Sequence, residues 1–240
     1  MNILQSGLFL SLRTIAFGLG YVLTAIIFLL LGSQDFLLKA SPWWPVYGLF
    51  ANLLCFIIIR RALKKENVKI LSLINFQAQK LKKDLMLSLG FIILSIIIAI
   101  SSSFIFGYLM FGRYPYDLMP LFSEIPGVII IIFVIIFPVI NSILEEITYN
   151  GYIFPRLEAK IKNTSIVILT VLLFFTLQHV FIMFLPDLKY LIWRLLCFVP
   201  LLAFWIIIYK RMRRLTTLII VHWFMDTFAI MSIIMAPVPK

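Results

Sequence analysis

Two adjacent glutamates, Glu145 and Glu146, follow directly on the run GVIIIIFVIIFPVI, which has the composition of a membrane-spanning helix. A charged side chain at the centre of such a helix costs ~2.5–3.5 kcal/mol on insertion scales, so carboxylates placed there generally serve a function. A carboxylate can take up a proton from water as a general base. The other ionisable side chains within apolar runs decide whether these two could do so.

The chain has 2 histidines, His179 and His222, and both lie within other apolar runs, as does Asp226. A helix rises about 1.5 Å per residue, so the glutamates and His222 are estimated to lie roughly 10–14 Å from the ends of their helices that adjoin lysine- and arginine-rich loops. His179 is estimated to lie deeper. These levels are compatible with one shared site.

Residues four apart share one face of a helix, and each of the three helices presents such a pair. The pairs are Glu146 with Asn150, Phe175 with His179, and His222 with Asp226. Two glutamates, an imidazole and a His–Asp pair around one pocket would hold water. A carboxylate and an imidazole could deprotonate that water while the other groups stabilise an oxyanion, which is what hydrolysis of a peptide bond needs.

The composition places these helices in a membrane. Of the 240 residues, 63% are hydrophobic and 13% are charged, and the charges cluster between apolar runs of roughly 18–25 residues, the length that crosses a bilayer. The runs lack the alternation of barrel strands, so we predict an all-α polytopic helix bundle. It forms one membrane domain over residues 1–240 with seven spans, or eight if a re-entrant helix is present. The predicted spans are about 12–32, 43–60, 85–111, 126–151, 164–185, 191–209 and 215–236.

Lysine and arginine predict the orientation. Sixteen of the 21 fall on one side, in the loops after spans two, four and six and at Arg13, and five fall on the other. We expect the richer side to be cytoplasmic, with the N-terminus inside the cell and the C-terminus outside. Charge sorted in this way indicates a cell membrane protein in contact with lipid, with no nucleic acid as partner. The stretch 69–83 is either an amphipathic helix lying on the cytoplasmic leaflet or a solvated loop.

Three short motifs resemble a known pattern. EEITYN (145–150), FTLQH (175–179) and HWFMD (222–226) are similar to the EExxxR, FxxxH and HxxxN motifs of the CAAX-protease and bacteriocin-processing family, intramembrane glutamate proteases that include type II CAAX prenyl endopeptidases. The resemblance covers about residues 126–230. It implies a bundle of mostly eight helices with a conical cavity open to the cytoplasm.

The resemblance also implies an endopeptidase that cuts a peptide or lipidated peptide near the cytoplasmic membrane face, without a cofactor. Carried over by position, the catalytic set is Glu145, Glu146, His179, His222 and Asp226, supported by Asn150 and Phe175. The first glutamate would be the general base and the first histidine would position its water. The second histidine and residue 226 would form the oxyanion side, and the second glutamate would support the base. Short loops and small size indicate a bacterial source.

Two positions depart from the family pattern. Asn150 stands where the family has arginine, so it can hydrogen-bond to Glu146 but cannot neutralise it. Asp226 stands where the family has asparagine, and an ionised Asp cannot donate to an oxyanion. These departures leave open a second hypothesis, a non-catalytic relative that acts in peptide or bacteriocin immunity or binds a partner.

Two other interpretations use the same side chains. Carboxylates within a membrane also serve as proton or cation sites, so a proton-coupled transporter is a third hypothesis. Two histidines and two or three carboxylates could bind zinc, although the chain has no HExxH motif.

Overall fold

A computed structural model describes residues 3–114 and 125–234. It is a helical bundle with six helices long and apolar enough to cross a membrane and a seventh that is apolar but shorter, which confirms the predicted fold class. The α-helices are α1 Ile3–Leu30, α2 Phe36–Ala40, α3 Trp44–Lys65, α4 Leu81–Phe111, α5 Gly127–Glu146, α6 Phe154–Glu158, α7 Thr164–Leu177, α8 Leu188–Met212 and α9 Thr216–Ile234. A π-helix, Ile147–Ile153, joins α5 to α6, and a 3₁₀ turn, Gln178–Phe181, extends α7.

Most of the long helices alternate in direction. The α5–α9 pair illustrates this, because Asn141 meets Asp226 while Glu146 meets His222. The start of α1 and the connections α3–α4, α6–α7 and α8–α9 therefore lie at one end of the bundle. This end carries most of the lysines and arginines, and we call it the basic end. The starts of α3, α5 and α8 lie at the opposite end.

The first span differs from its prediction. Helix α1 begins at Ile3 instead of near residue 12, so Arg13 lies inside the helix and is fully buried. The prediction that placed Arg13 at the basic-side end of the first span, near residue 12, was therefore wrong. The other basic residues of that side remain at the basic end, so the charge asymmetry persists without it.

Several helix ends follow from local chemistry. The Asn163 side chain caps α7 by accepting from two backbone amides, and the Asp187 side chain accepts from Tyr190 N at 2.7 Å to cap α8. Helix α4 ends at Gly112, whose φ of 68° is a left-handed conformation that glycine adopts at little cost.

The described core has three apolar clusters, the smallest around Trp193, and a polar layer lies between the two larger ones. One cluster, nearer the basic end, includes Phe9, Tyr152 and Trp205, and the other, nearer the opposite end, includes Phe17 and Phe137. Between them α1, α3, α5 and the turn after α7 each contribute one or two buried polar side chains: Arg13, Asn52, Asn141, Glu145 and Gln178. The candidate site is part of this layer.

Helix α4 lies at the periphery, and its contacts with α8 and α9 use serines spaced seven apart. Ser95 accepts from Trp205 Nε1 at 3.0 Å, and Ser102 donates to the Cys197 carbonyl at 2.8 Å. Ser88 donates to the Thr217 carbonyl at 3.3 Å. Small polar residues at this spacing let membrane helices approach closely and hydrogen-bond.

The stretch 69–83 is neither of the two alternatives predicted for it. It contains two short 3₁₀ turns, Ile70–Leu73 and Ala78–Lys80, before α4 begins. The first turn packs against the core, and Leu215 N donates to the Ile74 carbonyl at 3.1 Å, so the stretch is docked on the basic end.

Contact between α1 and α3 can be tested with two matched glycine substitutions. A Cβ on Gly20 would lie 2.6 Å from the Tyr47 Cβ, whereas one on Gly90 of α4 would meet nothing within 4 Å. Gly20→Ala should lower stability by about 1–3 kcal/mol through overpacking, and Gly90→Ala should leave it unchanged or slightly higher because alanine favours helix. Thermal unfolding in detergent measures both. Equal effects of the two changes would contradict the close α1–α3 contact.

Candidate active site

The two glutamates lie where α5 changes helix type. Glu146 ends α5, and the π-helix Ile147–Ile153 follows at once. Pro155 has no N–H to donate to the preceding turn, and Gly151 lies so close to Leu215 that a Cβ there would be 2.9 Å from the Leu215 Cδ1. Inserted π turns occur frequently at functional sites. Here the turn keeps the chain packed against the start of α9.

Glu145 is buried and accepts hydrogen bonds on both oxygens. Oε2 accepts from Arg13 Nη2 at 2.9 Å and from Asn141 Nδ2 at 3.1 Å, and Oε1 accepts from Gln178 Nε2 at 2.7 Å. The carboxylate is therefore fixed in position by one cation and two amides, and only the free side of Oε1 faces the histidines.

Arg13 supplies the positive charge of the site. Besides Glu145, its guanidinium donates to Asn52 Oδ1 at 2.6 Å, Gln178 Oε1 at 2.6 Å and Asn141 Oδ1 at 2.9 Å. The amide oxygens thus point at the cation, and the NH₂ groups of Asn141 and Gln178 point at carboxylates. An amide oriented in this way strengthens its bonds to both charges.

Glu146 has neutral donors where the family pattern places an arginine. Asn150 Nδ2 donates to Oε2 at 2.7 Å, and His222 Nδ1 lies 3.0 Å from Oε1. An N–H on His222 Nδ1 would leave Nε2 facing Glu145 Oε1, 3.9 Å away.

His179 is oriented by the backbone of its own helix. Its Nδ1 is 2.9 Å from the Phe175 carbonyl, which can only accept, so the proton lies on Nδ1. Nε2 then faces Glu145 Oε1, also at 3.9 Å. The Phe175 ring stacks on Tyr149 with centroids 4.4 Å apart and holds α7 against the π-helix.

Asp226 is the most exposed member of the cluster. Its Oδ2 accepts from Asn141 Nδ2 at 2.9 Å, and its Oδ1 is 3.5 Å from His222 Nε2. Asn141 therefore links Asp226 to Glu145. The structure brings together all five residues that the sequence nominated as catalytic.

The arrangement does not fit a metal ion. No group of three or more His, Cys, Asp or Glu within the described ranges has the geometry of a metal site. Both oxygens of Glu145 already accept hydrogen bonds, and the Arg13 guanidinium 2.9 Å from Oε2 would repel a divalent cation.

A cavity of about 430 Å³ adjoins the cluster. His179, His222, Asp226 and Asn141 contribute to its wall, which is otherwise mainly apolar and aromatic, and Glu145 lies behind them. The cavity runs from His222 towards Ser232 and the opposite end of the bundle. On the basic side, the Trp205 ring lies over His222 with centroids 4.6 Å apart. The opening of the cavity towards the cytoplasm, which the resemblance implies, stays a prediction.

Sequence reasoning missed Arg13, Asn52, Asn141 and Gln178. Asn141 precedes Glu145 by four residues and so shares its helix face, which was a readable signal. Gln178 is adjacent to a nominated histidine. Nothing local marks Arg13 or Asn52 as partners of α5, since they lie on other helices far away in the chain.

The fold and the site define a multi-pass membrane protein with a buried carboxylate–imidazole cluster. Residues 126–228 match the family model of type II CAAX prenyl endopeptidase Rce1-like proteins, which confirms the resemblance seen in the three motifs. The matched segment contains all five nominated residues but not Arg13 or Asn52. No curated protein and no solved structure matches the chain.

Removing the Arg13 charge should destabilise the protein. Arg13→Gln leaves Glu145 buried without its cation, a change that typically costs about 3–5 kcal/mol. The double variant Arg13→Gln with Glu145→Gln should recover most of that loss, because no lone charge remains. Thermal unfolding in detergent tests both, with exposed Arg211→Gln as the control. A double variant no more stable than Arg13→Gln would contradict the pairing.

Proposed function

We propose that the protein is an intramembrane endopeptidase in which Glu145 activates a water molecule. The observation that carries the proposal is the geometry of Glu145 Oε1, which lies 3.9 Å from the Nε2 atoms of both His179 and His222. That separation is too long for a direct hydrogen bond and suits a water molecule between them.

The hydrogen-bond acceptors around that water favour an orientation in which it can react. With His179 Nδ1 donating to the Phe175 carbonyl, His179 Nε2 and Glu145 Oε1 are both acceptors, so the water can donate one of its two hydrogens to each. Its oxygen lone pairs then point away from the cluster and towards the cavity. Transfer of one proton to Glu145 would make the oxygen a nucleophile for a peptide carbonyl carbon in the cavity.

The remaining groups would act on the later steps. Attack forms a C–O bond and moves the carbonyl π electrons onto oxygen. In this scheme His222 carries a proton on both ring nitrogens from the start, with Nδ1 on Glu146 and Nε2 beside Glu145 and Asp226, and its Nε2–H donates a hydrogen bond to the oxyanion. The C–N bond then breaks, and the proton held by Glu145 passes to the leaving amine. Asp226 positions His222 in this scheme, because an ionised carboxylate cannot itself donate to the oxyanion.

The cavity wall favours an apolar substrate. Aromatic side chains including Trp44, Phe104, Trp193 and Phe228 line it, so a hydrophobic or lipidated peptide would bury its surface there. The cut near the cytoplasmic membrane face, which the resemblance implies, remains part of this proposal.

One observation favours a second candidate, a non-catalytic membrane protein that binds a peptide or partner, for instance in bacteriocin immunity. Both oxygens of Glu145 accept hydrogen bonds, and the residue lies behind the cavity wall. In that case the cavity would bind without hydrolysing.

Substitution of Glu145, the proposed general base, distinguishes the endopeptidase from the non-catalytic binding protein. Glu145→Gln and His179→Ala should each abolish proteolysis, because the first removes the proton acceptor and the second removes one of the two imidazoles that hold the water. Mass spectrometry of peptides from membranes carrying wild type or variant protein measures the change. Glu66→Gln, an exposed glutamate paired with Arg156, is the matched control. Identical peptide profiles for wild type and Glu145→Gln, with both folded, would favour the binding protein.

Restoring the family residue at position 226 should preserve or raise activity. Asp226→Asn can keep the acceptor for Asn141 with its amide oxygen and turn an N–H towards the oxyanion. The rate on a substrate found in the peptide comparison measures this. Severe inactivation of a folded Asp226→Asn protein would mean that the carboxylate is needed to orient His222.

A further inference from the structure

A second buried arginine lies in the cavity wall, away from the acid–histidine cluster. Arg194 is 8% exposed, and its Nη2 donates to the Ile182 carbonyl at 3.2 Å. Its Nε has no hydrogen-bond partner, and no carboxylate pairs with it among the described residues. By contrast the buried Arg13 and Arg214 each pair with an acid, Glu145 and Asp84 respectively.

An unpaired buried cation in a membrane protein is costly unless an anion accompanies it. A guanidinium has five N–H donors in one plane, and the Ile182 carbonyl takes up one of them. The unused donors match the planar, two-oxygen geometry of a carboxylate. A bound carboxylate would supply the anion that Arg194 lacks among the described residues.

The surroundings of Arg194 specify what is attached to that carboxylate. The arginine shares the cavity of about 430 Å³ with aromatic and aliphatic side chains, so the rest of the ligand must be apolar. The guanidinium carbon lies 4.9 Å from the Phe198 ring centroid, and that ring lies 4.0 Å from the His179 ring centroid. One short apolar chain could therefore reach from the arginine to the cluster.

We propose that Arg194 forms an anion subsite that holds the carboxylate at the end of an apolar chain lying in the cavity. The subsite concerns binding and does not depend on hydrolysis by Glu145. The carboxylate could be the C-terminus of a hydrophobic peptide or the head of a fatty acid, and both present the same group to the guanidinium.

Tryptophan fluorescence can report binding, because Trp44, Trp193 and Trp205 line the cavity. The protein in lipid nanodiscs is titrated with a leucine-rich peptide bearing a free C-terminal carboxylate and, separately, with the same peptide amidated at its C-terminus. Oleate and its methyl ester form the second arm. Mass spectrometry after each titration checks that the peptide remains intact.

We expect the acid of at least one pair to bind wild type about tenfold more tightly than its neutral partner. Arg194→Gln should remove this preference, Arg194→Lys should retain part of it, and Arg211→Gln at the basic end should retain it fully. A preference confined to one arm identifies the ligand as a peptide terminus or a fatty acid.

Three results would overturn the proposal. One is equal binding of acid and neutral partner by wild type, and another is no binding in either arm. The third is an acid preference that survives in a folded Arg194→Gln protein. If Arg194→Gln fails to fold, the titration of Arg194→Lys decides. A lysine ammonium cannot form the two parallel hydrogen bonds that a guanidinium makes to a carboxylate. A full tenfold preference for the acid in Arg194→Lys would therefore contradict carboxylate recognition by the guanidinium.

Discussion

The ion pair between Arg13 and Glu145 is the contact on which the rest of the structure depends. Both groups are almost fully buried in a chain that spans a membrane, and either charge without the other would strongly destabilise the folded protein. The side-chain amides of Asn52, Asn141 and Gln178 surround this pair, and the oxygen of each accepts a hydrogen bond from Arg13. The NH₂ groups of Asn141 and Gln178 also donate to Glu145. The positions of four helices are thereby coupled to the orientation of one carboxylate.

This coupling gives a physical account of the departure at position 150. A pair of carboxylates needs positive charge nearby. Here Arg13 on α1 supplies that charge to Glu145, whereas the family pattern has an arginine at position 150, beside Glu146. Glu146 is then satisfied by the neutral Asn150 amide and by His222. The cluster therefore contains three carboxylates, one permanent cation and a histidine that can carry a second positive charge.

Sequence patterns predicted the helices well because each span has a long apolar run, and they nominated the site because intramembrane acids and imidazoles are rare. The motif spacing also placed Asn150 beside Glu146 and Asp226 beside His222. It could not predict the role of Arg13, because pairing between helices leaves no periodic pattern in the sequence, and the first span was predicted to begin near residue 12, which placed Arg13 at its end. Nor could it predict which side chains line the cavity, because α4, α8 and α9 contribute to its wall from separate parts of the chain.

The separation of Arg13 and Glu145 along the chain has a consequence for biogenesis. The two are 132 residues apart, so α1 leaves the ribosome long before α5 exists. An arginine costs a nascent helix about 2.5–3.5 kcal/mol at the bilayer centre, and the remaining residues of α1 must offset that until the acid arrives. Until α5 enters the bilayer, α1 therefore carries a buried cation whose cost only its own apolar residues can balance.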